Sequence, residues 1–146
     1  MLTFHKWSLH KSHSFEANTN NNPNTIPNIY FHTIKFSTNS LYVWIGDSEQ
    51  KLENVSCSMQ TPFSATPLAT DILLAKENDV DSSSLSSDLG AKLAKKLNKQ
   101  VILSFNVNKS LLKTVDKLAD NDYDSFMLNL INRCLFDEIK MNPNFF

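Results

Sequence analysis

Glycine is scarce in this chain. Only two of the 146 residues, Gly46 and Gly90, are glycine. The dinucleotide-binding fingerprint and the Walker-type phosphate loop each need closely spaced glycines, so neither motif can be written in this sequence. Nucleotide binding by these two routes is therefore excluded.

Cysteine and long apolar runs are scarce as well. The two cysteines, Cys57 and Cys134, lie far apart, and residues 1–11 do not show the pattern of a signal peptide. No apolar run approaches the roughly 20 residues that span a bilayer. The sequence therefore predicts a cytoplasmic or nuclear chain, in a reducing compartment and without membrane insertion.

Net charge is nearly absent. Fourteen basic and fifteen acidic residues leave a formal charge of -1 and a pI near 6.4, so no overall field attracts nucleic acid or an anionic membrane. A partner must instead be recognised locally. The length and the 41% of hydrophobic residues predict one domain with a real core, spanning residues 1–146.

Hydrophobic periodicity predicts an α+β fold. Short alternating or β-branched runs indicate an antiparallel sheet of about six strands, in "LTFHKW", "IYFHTIKF", "LYVWIG", "LENVSCSM", "ATDILLAK" and "QVILSFNVN". Two segments show helical spacing instead. Leucines recur every fourth residue from Leu85 to Leu97, before the last strand, and the C-terminal "DSFMLNLINRCLFDEIKM" forms the second helix. Polar segments at 16–28, 76–83 and 109–122 are predicted as mobile loops.

Candidate chemistry is sparse. The spacing of His5, His10 and His13 matches no common metal site, and Cys134 falls on the apolar stripe of the last helix, where a free cysteine is usually a small buried hydrophobe. We therefore expect no catalytic site, no metal and no cofactor. An enzyme with an unrecognised Cys/His or Ser/His site stays open as an alternative.

The lysines at the end of the first helix allow two interpretations. Lys95, Lys96 and Lys99 lie opposite the leucine stripe, at the helix end where the macrodipole favours positive charge. This favours a solvated helix face. Contact with phosphate or with an acidic partner is the alternative.

Four stretches together resemble one family. "FHTIKF", "LYVWIGDSEQKLENVSCSM", "SSSLSSDLGAKLAKKLNKQVILSFNV" and "LNLINRCLFDEIKMNPNFF" are similar to the matching blocks of the proteasome assembly chaperone 4 family. The most specific block is "LAKKLNKQVILSFNV". The resemblance covers roughly Tyr30 to Phe146, and the longer polar loops of this chain suit a fungal-type member.

The resemblance implies a non-catalytic chaperone for 20S proteasome assembly. Such a protein forms a heterodimer with proteasome assembly chaperone 3, binds the α5 subunit to promote correct α-ring formation, and then dissociates, without nucleotide or metal. The alternative is a small protein-interaction adaptor unrelated to the proteasome, which would bind through a sheet edge or a helix groove.

Two sets of residues are candidates for partner binding. For the heterodimer surface we nominate apolar residues of the late strand and the last helix, namely Phe105, Val107, Phe126, Leu130 and Leu135. The alternative is that these are ordinary core residues. For α5 we nominate Lys96 and Lys99, on the helix end that precedes the late strand.

Overall fold

The computed structural model describes residues 2–9, 28–74, 80–108 and 124–146. These residues form one six-stranded sheet and two long helices, which confirms the predicted α+β class. The strands are β1 (Thr3–Ser8), β2 (Tyr30–Lys35), β3 (Ser40–Gly46), β4 (Val55–Met59), β5 (Leu68–Leu73) and β6 (Gln100–Asn106). The helices are α1 (Val80–Leu97) and α2 (Asp124–Met141), and a 3-10 turn at Pro143–Phe145 follows α2.

The strand order in the sheet is β1-β2-β3-β6-β4-β5. All neighbouring pairs are antiparallel except β3 and β6, which run parallel. The sheet is therefore mixed, which corrects the prediction of an antiparallel sheet at one pair. The physical reason is that a parallel pair requires a long connection, and the chain between β3 and β6 supplies one through β4, β5 and finally α1. The crossover returns the chain beside the start of β3, where Gln100 N donates to Asn39 O over 2.9 Å.

Both helices pack on the same face of the sheet, called here the helix-covered face. Alternate side chains of the two central strands point into this layer and are almost fully buried together with apolar residues of both helices. The main members are Leu41, Val43, Ile45, Val101, Leu103, Leu93, Ile131 and Leu135. Since burial of a side chain of this size contributes about 1.5–3 kcal/mol, this layer supplies most of the apolar stabilisation.

Small residues let α1 approach β4 closely. Ser86 Oγ donates a hydrogen bond to the carbonyl of Leu103 over 3.2 Å and can accept one from Ser56 Oγ, 2.8 Å away. One turn further along α1, a Cβ at Gly90 would lie only 2.7 Å from Ser58 Oγ. The predicted leucine stripe is confirmed, because Leu89 is buried beside the sheet. Hydrogen-bonded serines and a glycine thus set the distance between this helix and the sheet.

The predicted loops correspond only partly to the structure. Residues 80–83, predicted as part of the loop 76–83, are the first turn of α1. Of the three predicted loops, residues 16–27, 76–79 and 109–122 lie outside the described residues. Their mobility therefore stays a prediction.

The N-terminal strand is anchored by helix α2 and the residues that follow it. His5 Nε2 lies 2.7 Å from a carboxylate oxygen of Glu138 on α2, and the His5 ring stacks on Phe145 with the centroids 4.2 Å apart. The indole of Trp7 stacks on Phe31 at 5.1 Å. These contacts fix β1 as the edge of the sheet opposite β5.

Candidate partner-binding surface

The second face of the sheet carries no helix among the described residues. We call it the open face. Strand register places on it the side chains that alternate with the helix-covered set. From β1 across to β4 these are Phe4, Lys6, Tyr30, His32, Ile34, Tyr42, Trp44, Ile102, Ser104, Val55, Cys57 and Met59. A sheet face this rich in aromatic and aliphatic side chains is a candidate surface for a partner.

Most open-face side chains are only partly buried. Ile34, Tyr42, Ile102 and Val55 fall between buried and exposed, and Phe4 at the edge is 58% exposed. They cover one another within the sheet, but among the described residues no second layer shields them. The open face therefore resembles half of a sandwich core, which a second sheet could complete at the usual spacing of about 10 Å.

Trp44 is the most buried aromatic of the open face, at 6% exposure. Its indole lies against Gly46, where a Cβ would collide with the ring. Its Nε1 donates a 2.8 Å hydrogen bond to the carbonyl of Lys51. The glycine thus provides the space for the indole, and the indole holds the loop between β3 and β4.

A polar network holds the same loop against the sheet. Asn106 Oδ1 accepts from the backbone N–H of Glu53 over 2.7 Å, and Ser104 Oγ donates to the Glu53 carbonyl over 3.1 Å. Asp47, only 5% exposed, accepts from the N–H groups of Glu49 and Asn108, each over 2.9 Å. Buried polar groups are stable when they are paired in this way. The loop is thus a fixed rim at one end of the open face.

His32 lies near the middle of the β1–β3 half of the open face. Its ring is 4.9 Å from that of Trp44 and 5.9 Å from that of Phe4, and Lys6 is its direct neighbour on β1. Its Nε2 is buried and has no hydrogen-bond partner. Burial, followed by the charge of Lys6, lowers the pKa of His32 from its ordinary value of 6.5. The neutral imidazole is the favoured form.

This lowered pKa predicts a pH dependence of stability. Between the folded and unfolded pKa values the unfolded chain binds more protons, so the contribution of His32 to the free energy of unfolding falls as the pH drops through about 6.5. In His32→Gln this loss is absent. We therefore expect acidification from pH 7.5 to 5.5 to lower the melting temperature of the wild type more than that of the variant. An equal decrease in melting temperature for the two proteins would contradict the lowered pKa of His32.

The structure places most of the nominated apolar residues in the core. Phe105, Val107 and Leu135 are 2%, 7% and 0% exposed on the helix-covered side, which agrees with the alternative that they are ordinary core residues. Leu130 is half-buried against the core, and the side chain of Phe126 lies outside the described residues. Partner contact by these residues stays a prediction, and the burial of the first three weighs against it.

The two nominated lysines have different surroundings. Lys96 is exposed, and its Nζ lies 4.8 Å from the centre of the Phe136 ring. Lys99 Nζ donates a 2.7 Å hydrogen bond to the backbone oxygen of Phe146. Burial, and secondly the charge of Lys35, lowers the pKa of Lys99. Lys99 therefore has a structural role, and Lys96 is the more accessible of the two for a partner.

The described residues offer no metal-binding cluster, and Cys134 is not an activated thiol. Among them no group of three or more His, Cys, Asp or Glu side chains could hold a metal ion. Burial raises the pKa of the Cys134 thiol, which disfavours the reactive thiolate. In the same part of the chain, neither helix has the length and apolar character needed to cross a membrane.

None of the residues nominated from the sequence lies on the open face. A signal was present, because "LYVWIG" and "QVILSF" are apolar at both odd and even positions, a pattern typical of strands buried on both faces. In the part of the chain that the structure describes, no second layer covers Ile102 and Tyr42, and both side chains are partly buried.

Comparison with known proteins gives consistent results. A family model described as proteasome assembly chaperone 4 matches residues 28–107. The proteasome assembly chaperone 4 proteins of Homo sapiens and Mus musculus are 32% and 29% identical to the chain over 82 residues. Each alignment covers 56% of this chain and 61% of the relative, so the match spans less than two thirds of the relatives' length.

A solved structure shares the fold. A chain from the crystal structure described as a novel chaperone complex for yeast 20S proteasome assembly has a TM-score of 0.59 at 9% identity, with 96% of both chains covered. This likeness shows a common architecture. Because the family model matches more than half of the 146 residues, the chain belongs to the proteasome assembly chaperone 4 family.

Proposed function

We propose that this protein is a non-catalytic chaperone for 20S proteasome assembly, which forms a heterodimer with proteasome assembly chaperone 3. The heterodimer binds the α5 subunit, promotes correct formation of the α-ring and then dissociates. Family membership supports the general role. The observation that carries the heterodimer is the open face, a sheet surface of apolar side chains without a covering layer among the described residues.

The open face suits a lasting interface. Stable protein pairs bury about 800 Å² on each partner, with aromatic residues enriched at the centre. His32, Tyr42 and Trp44 lie side by side near the middle of the sheet, with Ile102 beside Tyr42. A sheet from a related partner, packed face to face on these residues, would give a sandwich with helices on both outer sides.

A charge on the open face tests this proposal. In Ile102→Asp the carboxylate would lose its water on association, so we expect at least about a hundredfold weaker heterodimer, equivalent to about 2.7 kcal/mol. The measurements are size exclusion of the mixed proteins and titration of this chain with separately purified proteasome assembly chaperone 3.

The matched comparison is Leu130→Asp on α2. Leu130 belongs to the surface nominated from sequence and, like Ile102, is partly buried. The two variants therefore distinguish an interface on the open face from an interface on α2. Loss of binding in Leu130→Asp alone, with both variants folded by circular dichroism, would place the interface on α2. Separate migration of the two wild-type proteins at micromolar concentration would remove the heterodimer proposal and favour an adaptor with another partner.

A further inference from the structure

Apart from histidines, the six strands carry only three charged side chains, and one of them lies on the open face. Lys35 and Asp71 point to the helix-covered face. There Lys35 Nζ donates a 3.0 Å hydrogen bond to the carbonyl of Asn144, and Asp71 accepts one from Ser87 Oγ of α1. Lys6 lies on the open face, and among the described residues no carboxylate pairs with it. The strands thus present a single unpaired cation on this face.

The ammonium group of Lys6 is directed over the open face. Its Nζ lies 6.0 Å from the centre of the Tyr30 ring on the neighbouring strand β2, so the side chain turns inward from the β1 edge. Lys6 pairs directly with His32. Burial, followed by the charge of Lys6, lowers the pKa of His32, so the imidazole adds no charge at neutral pH. Lys6 alone therefore determines the charge of this part of the face.

Covering the open face creates an electrostatic requirement at Lys6. A charge that loses its water is unfavourable unless an opposite charge meets it. Lys6 belongs to the row of open-face side chains that continues through His32 and Trp44. These two residues lie in the surface that the heterodimer would bury. A sheet packed on this row would therefore take water from the Lys6 ammonium as well.

We propose that the heterodimer partner presents a carboxylate side chain to Lys6, and that this ion pair selects the partner over a second copy of this chain. The inference rests on the proposed function and names the chemistry that the partner's face must carry. An ion pair between surfaces that exclude water is stronger than one on an exposed surface, and it also fixes which surfaces fit together.

A second copy of this chain does not supply the carboxylate from its own open face. The strands contain one acidic residue, Asp71, and it points to the helix-covered face. In the rim loop, Asp47 accepts from two backbone N–H groups, and a Glu49 carboxylate oxygen lies 2.6 Å from Lys51 Nζ. Two open faces packed together would cover two Lys6 side chains without a counter-charge, which disfavours self-association.

Two substitutions of Lys6 test the ion pair. Lys6→Met removes the charge but keeps an apolar stem, and Lys6→Glu reverses the charge. Each full chain is titrated with separately purified proteasome assembly chaperone 3. We expect the heterodimer to be about tenfold weaker with Lys6→Met and at least about a hundredfold weaker with Lys6→Glu, because two carboxylates would then meet. Raising the salt from about 0.1 M to about 1 M should weaken the wild type more than Lys6→Met, because salt screens the pair.

The direction of the change in Lys6→Met is decisive. If no carboxylate faces Lys6, methionine removes an unpaired charge from the interface, and binding becomes tighter or stays the same. The matched controls are Lys92→Met and Lys92→Glu, because Lys92 is also exposed but lies on α1, in the helix layer. These controls should change the affinity by no more than about twofold.

The other outcomes overturn the inference in distinguishable ways. Unchanged or tighter binding by Lys6→Met would show that no carboxylate faces Lys6, while the heterodimer proposal stands. Equal effects of the Lys6 and Lys92 variants would show a general electrostatic attraction instead of a pair at Lys6. Self-association of the wild type that Lys6→Met weakens would identify a second copy as the source of the counter-charge, through a rim carboxylate such as Glu53. Failure of the wild type to bind chaperone 3 would overturn the proposed function and the inference with it.

Discussion

Phe105→Ala should lower the free energy of unfolding by about 3–5 kcal/mol, as large-to-small changes of a buried aromatic residue do. Phe105 lies in the central strand β6 at 2% exposure, and the removed ring would leave a cavity among rigid neighbours. Its backbone N–H donates to the carbonyl of Asn54 over 3.3 Å, so the strand cannot easily move inward to fill the space. Urea denaturation measures the loss.

The matched control is Phe63→Ala. The same atoms are removed, but the ring of Phe63 is 97% exposed, so the free energy of unfolding should change by no more than about 0.5 kcal/mol. The comparison also decides between the two interpretations of Phe105. If Phe105→Ala kept the stability of the wild type and lost only the heterodimer, Phe105 would be an interface residue and its burial in the core would be contradicted.

Gly46→Ala should destabilise the protein by about 1–3 kcal/mol, the usual effect of overpacking. A Cβ at residue 46 would lie 2.5 Å from Cη2 of the Trp44 indole, so the ring must move. Because the φ angle of Gly46 is not positive, the cost comes from this contact and not from the backbone. Movement of the ring would also weaken its 2.8 Å hydrogen bond to Lys51, and the tryptophan emission should shift to the red.

A double-mutant cycle isolates this contact. In a Trp44→Ala background the space beside residue 46 is open, so Gly46→Ala should cost little there, and the coupling free energy should exceed about 1 kcal/mol. Ser48→Ala, at an exposed position of the neighbouring turn, controls for general effects on the loop. An equal loss of stability on Gly46→Ala in both backgrounds would show that the Trp44 indole does not lie against residue 46.

The predicted elements follow from periodicity, because that signal is local. Leu89 and Leu93 recur at helical spacing and are buried in α1, and Val101, Leu103 and Phe105 alternate and are buried in β6. The parallel pairing of β3 with β6 is different in kind. This pairing brings Ser40 beside Gln100, which lies far along the chain. A local sequence pattern does not show which distant strand will be the neighbour. The insertion of β6 into the centre of the sheet therefore could not be predicted.

For a related reason, the sequence could not show which strand residues lie in the core and which lie on the open face. Alternation shows that Phe105 and Ile102 point to opposite faces, but it does not say which face the helices cover. In the structure the helices cover the Phe105 side, so this residue lies in the core while Ile102 lies on the open face. The assignment depends on where α1 and α2 dock, which is a property of the whole fold.

The sequence by itself determined the α+β class, the strands and helices, and the resemblance to the family, since each depends on neighbouring residues or on matched blocks. Only the tertiary structure decided the strand order, the open face around Trp44 and Ile102, and the exposure of Phe63 and β5. The physical reason is that burial is a collective property. A side chain is exposed or covered according to segments far along the chain, and a surface exists only after those segments have packed.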